Sequence, residues 1–179
     1  SKFKMIRFFR VAAFSLILAF IIVSQVYAQS SYVLPYPSRM PGSFAYKLHL
    51  VFEGISRYWY FGDFGQFDYN LKMADKYLVE AKTLFEYKQY LLGYNALKKS
   101  DLYFINIKQS LLKAEKENKN IANKRFILKE ASRKHIEILE KIDSNTPDIF
   151  IWEPEKALPT TLHLKKTIED SANIRKNSL

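Results

Sequence analysis

Histidine and carboxylate side chains are the groups in this sequence that could take part in acid–base or metal chemistry. The chain has three histidines, His49, His135 and His163, and no cysteine. No two histidines have the spacing that presents two zinc ligands from one helix. The lack of cysteine also excludes disulfides, thiolate metal sites and cysteine nucleophiles. The sequence therefore predicts neither a metal centre nor a cofactor.

His135 falls on the apolar face of a predicted helix, which leaves two interpretations. It is either a buried acid–base group or a core histidine with satisfied ring nitrogens, and we favour the second. Asp75 and Glu80 do not share one helix face, and Glu80 is expected to form a solvated ion pair with Lys76. The sequence has no glycine-rich phosphate loop and no serine nucleophile motif. We therefore expect a protein that is not an enzyme.

Apolar residues recur every three or four positions across residues 44–142, which is the period of amphipathic helices. Four helices are expected, at about 44–60, 66–87, 90–117 and 121–142. The glycines of FGDFG, residues 61–65, predict a turn. The asparagines of residues 117–124 predict another, with one continuous helix as the alternative. Such helices and short loops are typical of a small antiparallel all-α bundle, which we place at residues 44–143.

Each predicted helix has an apolar stripe that should face the core. The stripes consist of Phe44, Leu48, Val51, Ile55 and Trp59 in the first helix, Phe67, Leu71, Ala74, Leu78, Ala81 and Phe85 in the second, Gly93, Leu97, Ser100, Phe104, Ile107, Leu111 and Ala114 in the third, and Leu128, Ala131, His135, Ile138 and Ile142 in the fourth.

Residues 1–28 have the three-part layout of a secretory signal peptide. Arg7 and Arg10 precede an apolar run from Val11 to Val23, and cleavage is expected after Ala28. As a helix this run spans about 20 Å, less than the hydrocarbon thickness of a bilayer. An uncleaved membrane anchor remains the alternative. Either interpretation places the rest of the chain on the extracytoplasmic side, secreted, at the cell surface or anchored.

The segments that flank the predicted bundle should be extended. Residues 29–43 are proline-rich, and the apolar side chains of YVLPYPSRMPGS should lie against the bundle. Pro41, Gly42 and Ser43 then turn the chain, with Ser43 as the N-cap of the first helix. Residues 144–179 should form an apolar strap and a short helix, which Thr160 or Thr161 caps and which ends near residue 176.

Two stretches resemble known patterns. Residues 73–104 are similar to one tetratricopeptide-type (TPR-like) helical hairpin, with Ala81, Tyr90, Ala96 and Leu97 at its packing positions. Residues 32–104 resemble an uncharacterised bacterial family of exported helical domains. Its pattern is matched by Leu34, Pro35, Pro41, Gly42, Tyr46, Leu48, Leu71, Ala74, Asp75, Leu78, Glu80 and Ala81. The resemblance implies export and a helical fold, and it implies no activity.

The net charge of +10 is concentrated in residues 1–28 and in residues 108–134. The second of these basic segments spans the predicted third turn. An up-and-down order of the helices would place that turn at the end of the bundle farthest from the N-terminal segment. The candidate contacts for an anionic polymer or an acidic partner are Lys113, Lys116, Lys119, Lys124, Arg125, Lys129 and Arg133.

Aromatic residues are dense around the predicted first turn, between residues 58 and 69. Trp59, Phe64 and Phe67 hold stripe positions and are expected in the core. The candidate partner contacts are Tyr58, Tyr60, Tyr69 and, in the strap, Trp152.

These observations predict an exported, non-enzymatic helical scaffold or interaction module at the bacterial cell surface. The alternative is an electrostatic binder of an anionic envelope polymer or acidic partner through residues 108–134. Nucleic acid is not expected as a partner, because no recognised binding motif is present. Membrane contact is expected only through the N-terminal segment, if that segment stays uncleaved.

Overall fold

The computed structural model describes residues 30–37 and 44–178. The predicted signal peptide or anchor lies outside the described residues, as does the predicted turn and cap at Pro41, Gly42 and Ser43. Within the described ranges, no helix combines the length and the apolar character needed to cross a bilayer.

The described chain is mostly helical, which confirms the predicted all-α class. A 3-10 turn over Arg57–Trp59 follows the first helix. The regular elements are α1 (Phe44–Ser56), α2 (Gly62–Glu86), α3 (Tyr90–Lys116), α4 (Ala122–Ser144), β1 (Ile149–Trp152), β2 (Thr160–His163) and α5 (Leu164–Lys176).

The bundle is formed by α2, α3, α4 and α5. Helix α2 packs on α3, α3 on α5, α5 on α4, and α4 closes the ring against α2. Helix α1 lies outside this ring and attaches to the outer side of α2 through side chains. The bundle therefore contains the C-terminal helix and leaves out the first one, whereas the sequence had placed it at residues 44–143.

The core consists of two apolar halves with polar groups between them. The predicted stripe residues of α2, α3 and α4 are all buried, which confirms those three faces. One half contains Leu78, Leu97 and Leu139, and the other contains Phe67, Phe104 and Leu128. The polar groups that lie between the halves are Asp75, Ser100, Asp101, His135, Ser171 and Arg175.

The described side chains of the predicted first stripe, those of Leu48, Val51, Ile55 and Trp59, point outward, so their predicted burial is wrong. Leu48, Val51 and Ile55 are 48%, 60% and 49% exposed, and Trp59 is 76% exposed. Phe52, on the same side, is 68% exposed. The side of α1 that faces the bundle is the more polar one.

Polar contacts with α2 determine this orientation of α1. The Tyr46 hydroxyl donates a hydrogen bond to Glu80 Oε1 at 2.9 Å. Glu53 accepts a hydrogen bond from the Tyr77 hydroxyl at 3.2 Å and forms an ion pair with Lys76. Because buried polar groups need such partners, α1 turns its polar side toward α2 and leaves its apolar side in solvent.

The turns between helices use residues with positive φ. Gly62 has a φ of 72°, and α2 begins there, so the FGDFG stretch is largely helical and not the predicted turn. Lys88 and Asn118 have φ values of 58° and 57°, and each ends a helix. Asn118 thereby separates α3 from α4, so the alternative of one continuous helix is wrong.

The predicted C-terminal strap is a β-hairpin. Strand β1 pairs antiparallel with β2, with Phe150 opposite Leu162 and Trp152 opposite Thr160. Thr160 and Thr161 therefore lie in a strand and do not cap a helix. Helix α5 begins only at Leu164, because the buried Leu162 and Leu164 tie the end of the hairpin into the core.

The described part of the proline-rich segment lies on the bundle through Tyr32 and Leu34, as predicted, whereas Val33 and Tyr36, predicted to pack there too, are 85% and 95% exposed. The Ser30 hydroxyl donates to the Glu130 carbonyl at 2.9 Å, and Leu34 packs against the core. Residues 30–37 line one groove together with Val79, Lys82 and Thr83 in the second half of α2. Residues 30–37 therefore run away from the α3–α4 turn. The chain enters the bundle in the half that contains this basic turn, contrary to the predicted far end.

Two glycines beside the α1–α2 corner should respond oppositely to alanine. A Cβ at Gly65 would lie 2.7 Å from the Tyr60 carbonyl carbon, whereas nothing lies within 4 Å of a Cβ at Gly54. We expect Gly54→Ala to stabilise the protein by about 0.5–1 kcal/mol. Gly65→Ala should destabilise it, because backbone would have to move. Urea unfolding measures both, and equal effects would contradict the tight corner.

Candidate functional site

His135 lies at the centre of the buried polar groups. Its Nε2 is 2.7 Å from Asp75 Oδ1, and its Nδ1 is 3.4 Å from Arg175 Nε. Because a guanidinium nitrogen only donates, Nδ1 is the acceptor and Nε2 carries the proton that is donated to Asp75. Burial lowers the pKa of His135, against the opposing hydrogen bond to Asp75, and the charge of Arg175 acts in the same direction as burial.

Arg175 joins α5 to the other helices and has no exposed surface. Its guanidinium forms an ion pair with Asp101 and donates to Ser100 Oγ at 2.8 Å. Asp101 also accepts a hydrogen bond from the Ser171 hydroxyl at 2.7 Å. Each charged group therefore has several partners, which a buried ion pair requires.

Asp75 connects this network to the segment before α1. The Tyr32 hydroxyl donates to Asp75 Oδ2 at 2.6 Å, so both carboxylate oxygens are used. Burial, followed by the nearby Asp75 charge, raises the pKa of Tyr32 and keeps the hydroxyl protonated as a donor. The Asp75–His135–Arg175 arrangement thus has the residue types of an acid–base site. Its histidine is 0% exposed, and the network fits a structural role.

Glu80 does not form the solvated ion pair with Lys76 that the sequence predicted, because Glu80 is buried and Lys76 pairs with Glu53. The Glu80 side chain is buried, Oε1 accepts a hydrogen bond from the Tyr46 hydroxyl, and Oε2 has no hydrogen-bond partner among the described residues. Burial raises the pKa of Glu80. The group is enclosed by the contact between α1 and α2, and we assign it no further role.

The predicted basic segment is largely neutralised at the α3–α4 turn. The ion pairs join Lys119 to Asp63 at 3.0 Å, Lys124 to Asp68 at 2.5 Å, Arg125 to Glu115 at 2.7 Å and Arg133 to Glu130 at 2.6 Å. The hydrogen bond from Lys119 lowers the pKa of Asp63. Within the described ranges, Lys113, Lys116 and Lys129 have no carboxylate within ion-pair distance.

A groove of about 390 Å³ lies between α3, α4 and the end of α5. Leu112 and Phe126 are exposed in it, at 47% and 64%, and Lys108 and Lys129 lie on its borders. The other residues that line it are Leu111, Glu115, Arg125, Leu128, Asn177 and Ser178. The groove thus combines an apolar floor with an excess of positive charge.

The predicted aromatic contacts are divided between surface and core. Tyr58 is 75% exposed and Trp152 is 37% exposed. Tyr60 is half-buried and packs against Tyr69, whose ring is buried. Tyr69 therefore leaves the set of candidate contacts, and Trp59, which had been assigned to the core, joins it.

Sequence reasoning missed Arg175 and Phe126. A charged residue near the end of a chain is usually solvated, so nothing in the sequence marked Arg175 as buried. Phe126 is an aromatic residue outside the apolar stripe of α4. An apolar residue on the polar side of a helix is the sequence signal that could have indicated an exposed contact.

The chain was compared with protein-family models, curated proteins and solved structures, and none of them matches. Among the described residues, no group of three or more histidine, aspartate or glutamate side chains could hold a metal ion. Function must therefore be argued from the described surfaces.

Replacing Arg175 should test how much the fold depends on the buried polar groups. In Arg175→Met the carboxylate of Asp101 loses its charge partner without gaining access to water, so we expect a loss of about 3–5 kcal/mol in unfolding free energy. The exposed neighbour serves as a control, and Lys176→Met should change stability by less than about 0.5 kcal/mol. Wild-type stability in Arg175→Met, measured by urea unfolding, would contradict this role.

Proposed function

We propose that this protein is an exported, non-enzymatic interaction module that binds an acidic, partly apolar segment of a partner protein in the α3–α4 groove. The observation that carries the proposal is the pairing of exposed apolar side chains, Leu112 and Phe126, with Lys108 and Lys129 in one groove. Support for export comes from the sequence of residues 1–28.

The floor of the groove would supply most of the affinity. Phe126 and Leu112 lose unfavourable contact with water when a partner covers them, and aromatic anchors in grooves are common centres of binding energy. An apolar side chain of the partner would therefore lie between α3 and α4.

The charges at the borders would select an acidic partner. Lys108, Arg125 and Lys129 face one carboxylate, Glu115, which already pairs with Arg125. Within the described residues, Lys108 and Lys129 have no carboxylate at ion-pair distance, so they could pair with carboxylates of the partner. Charge complementarity of this kind raises association rates and excludes basic competitors.

An anionic envelope polymer is the second candidate. The observation that favours it is the unpaired state, within the described residues, of Lys113 and Lys116 near the end of α3. A polymer without apolar groups would make no use of Phe126, so the two candidates can be separated.

A fluorescence-anisotropy experiment tests the proposal with two labelled probes of equal charge, a peptide of alternating Glu and Leu residues and polyglutamate. We expect the Glu–Leu peptide to bind more tightly. Phe126→Ser should weaken that peptide by about tenfold or more and leave polyglutamate unchanged. Lys129→Glu should weaken both probes, because it removes charge.

Two exposed residues in the β1–β2 loop provide matched controls. Leu158→Ser and Lys156→Glu should change neither affinity, since both residues lie outside the groove. Equal binding of the two probes, together with no effect of Phe126→Ser, would reject the peptide groove in favour of the polymer.

A further inference from the structure

The outer side of α1 is an apolar surface that is exposed to solvent. We define the α1 face as Leu48, Val51, Phe52, Ile55 and Trp59, all of which are exposed. At the following corner Tyr58 is 75% and Phe61 83% exposed. A continuous apolar surface of this kind is usually covered in the working state of a protein.

The charges around the α1 face are basic. Glu53, the acidic residue of α1, is buried and faces the bundle. The exposed charged residues are Lys47 within α1 and Arg57 just after it. Apolar and aromatic side chains flanked by Lys and Arg are the composition of helices that lie in the membrane interface.

Two further lysines, which have no ion-pair partner among the described residues, lie at the same end of the molecule. Lys119 bonds to Asp63 in the first turn of α2, which places the α3–α4 turn beside the aromatic corner. Lys113 is close enough to Asp63 to act on its charge. Lys113 and Lys116 therefore add positive charge that anionic lipid headgroups would attract.

The path of residues 30–37 also places the start of the described chain toward the basic and aromatic end of the bundle. Ser30 bonds to Glu130, in the first half of α4, and residues 30–37 run away from the basic turn. The apolar run that ends at Val23 is seven positions before Ser30 in the sequence. Seven residues span at most about 25 Å. If that run is in a membrane, the basic and aromatic end of the bundle is within reach of the same bilayer.

We propose that the α1 face and the aromatic corner dock onto a bilayer that contains anionic lipids, with α1 lying in the plane of the interface. Trp59 and Phe52 would enter the headgroup region, and Lys113 and Lys116 would contact lipid phosphates. This surface is separate from the α3–α4 groove, so both could be occupied at once.

Tryptophan fluorescence of the full chain tests this docking. The chain has two tryptophans, so Trp152→Phe leaves Trp59 as the reporter. The protein is reconstituted in vesicles of phosphatidylcholine and phosphatidylglycerol whose acyl chains are brominated near the headgroup. We expect blue-shifted Trp59 emission that the brominated lipid quenches. Phe52→Ser combined with Ile55→Ser should reduce the quenching severalfold, because each change removes buried apolar area.

A double charge-reversal variant tests the electrostatic part of the proposal. Lys113→Glu combined with Lys116→Glu should reduce quenching in phosphatidylglycerol vesicles and have little effect in pure phosphatidylcholine. Lys98→Glu is the control, because Lys98 is exposed near the opposite end of α3. Circular dichroism confirms that each variant is folded.

Three outcomes would overturn the proposal. Red-shifted, unquenched Trp59 emission would mean that the α1 face stays in water. Blue-shifted emission without quenching in a dimer, detected by sedimentation, would mean that a second copy covers the face. The same emission in a monomer would mean that another part of the chain, such as residues 11–23, covers it.

Discussion

The ion pair between Arg175 and Asp101, together with His135 and Asp75, is the constraint on which the other contacts of this fold depend. Both Arg175 and His135 have no exposed surface, so each of their polar atoms needs a protein partner. Those partners are Asp75 on α2, Ser100 and Asp101 on α3 and the Ser171 carbonyl on α5. Tyr32 in turn donates to Asp75. A shift of one helix along another would leave a buried charge unpaired, which is costly. The polar groups therefore fix the register of the four helices.

The same requirement for polar partners explains the unusual surface. Glu53 and Glu80 are buried between α1 and α2 and are matched by tyrosines and Lys76, so α1 is held with its apolar side outward. The described histidine, arginine and aspartate side chains of the core are buried and bonded to one another, so the proposals above concern the surface. The α3–α4 groove and the α1 face are two described surfaces where exposed apolar side chains and basic residues occur together.

Much of the fold could be predicted because α2, α3 and α4 each bury one uniform stripe, and a period of 3.6 residues is visible in any single helix. The orientation of α1 could not, because it depends on Glu80 and Lys76, which are far away in the sequence. Arg175 was missed for the same reason, since its partner Asp101 is 74 positions earlier. The basic residues predicted around the third turn do flank the α3–α4 turn, but Lys119 and Lys124 pair there with carboxylates 56 positions away. The sequence pattern thus predicts which face of a helix is buried, whereas polar contacts between residues far apart in the sequence are visible only in the three-dimensional structure.

The protonation state of His135 tests most directly whether the centre of the bundle is a sealed structural network. Because burial lowers its folded-state pKa, its contribution to stability is present above the ordinary histidine value and is lost as pH falls through that value toward the folded one. ¹⁵N NMR of the ring nitrogens at about pH 6, below the ordinary pKa of about 6.5, reports this state. We expect a neutral ring with its proton on Nε2. A charged imidazolium that titrates with an ordinary pKa would contradict the sealed network and would return His135 to the candidates for acid–base chemistry.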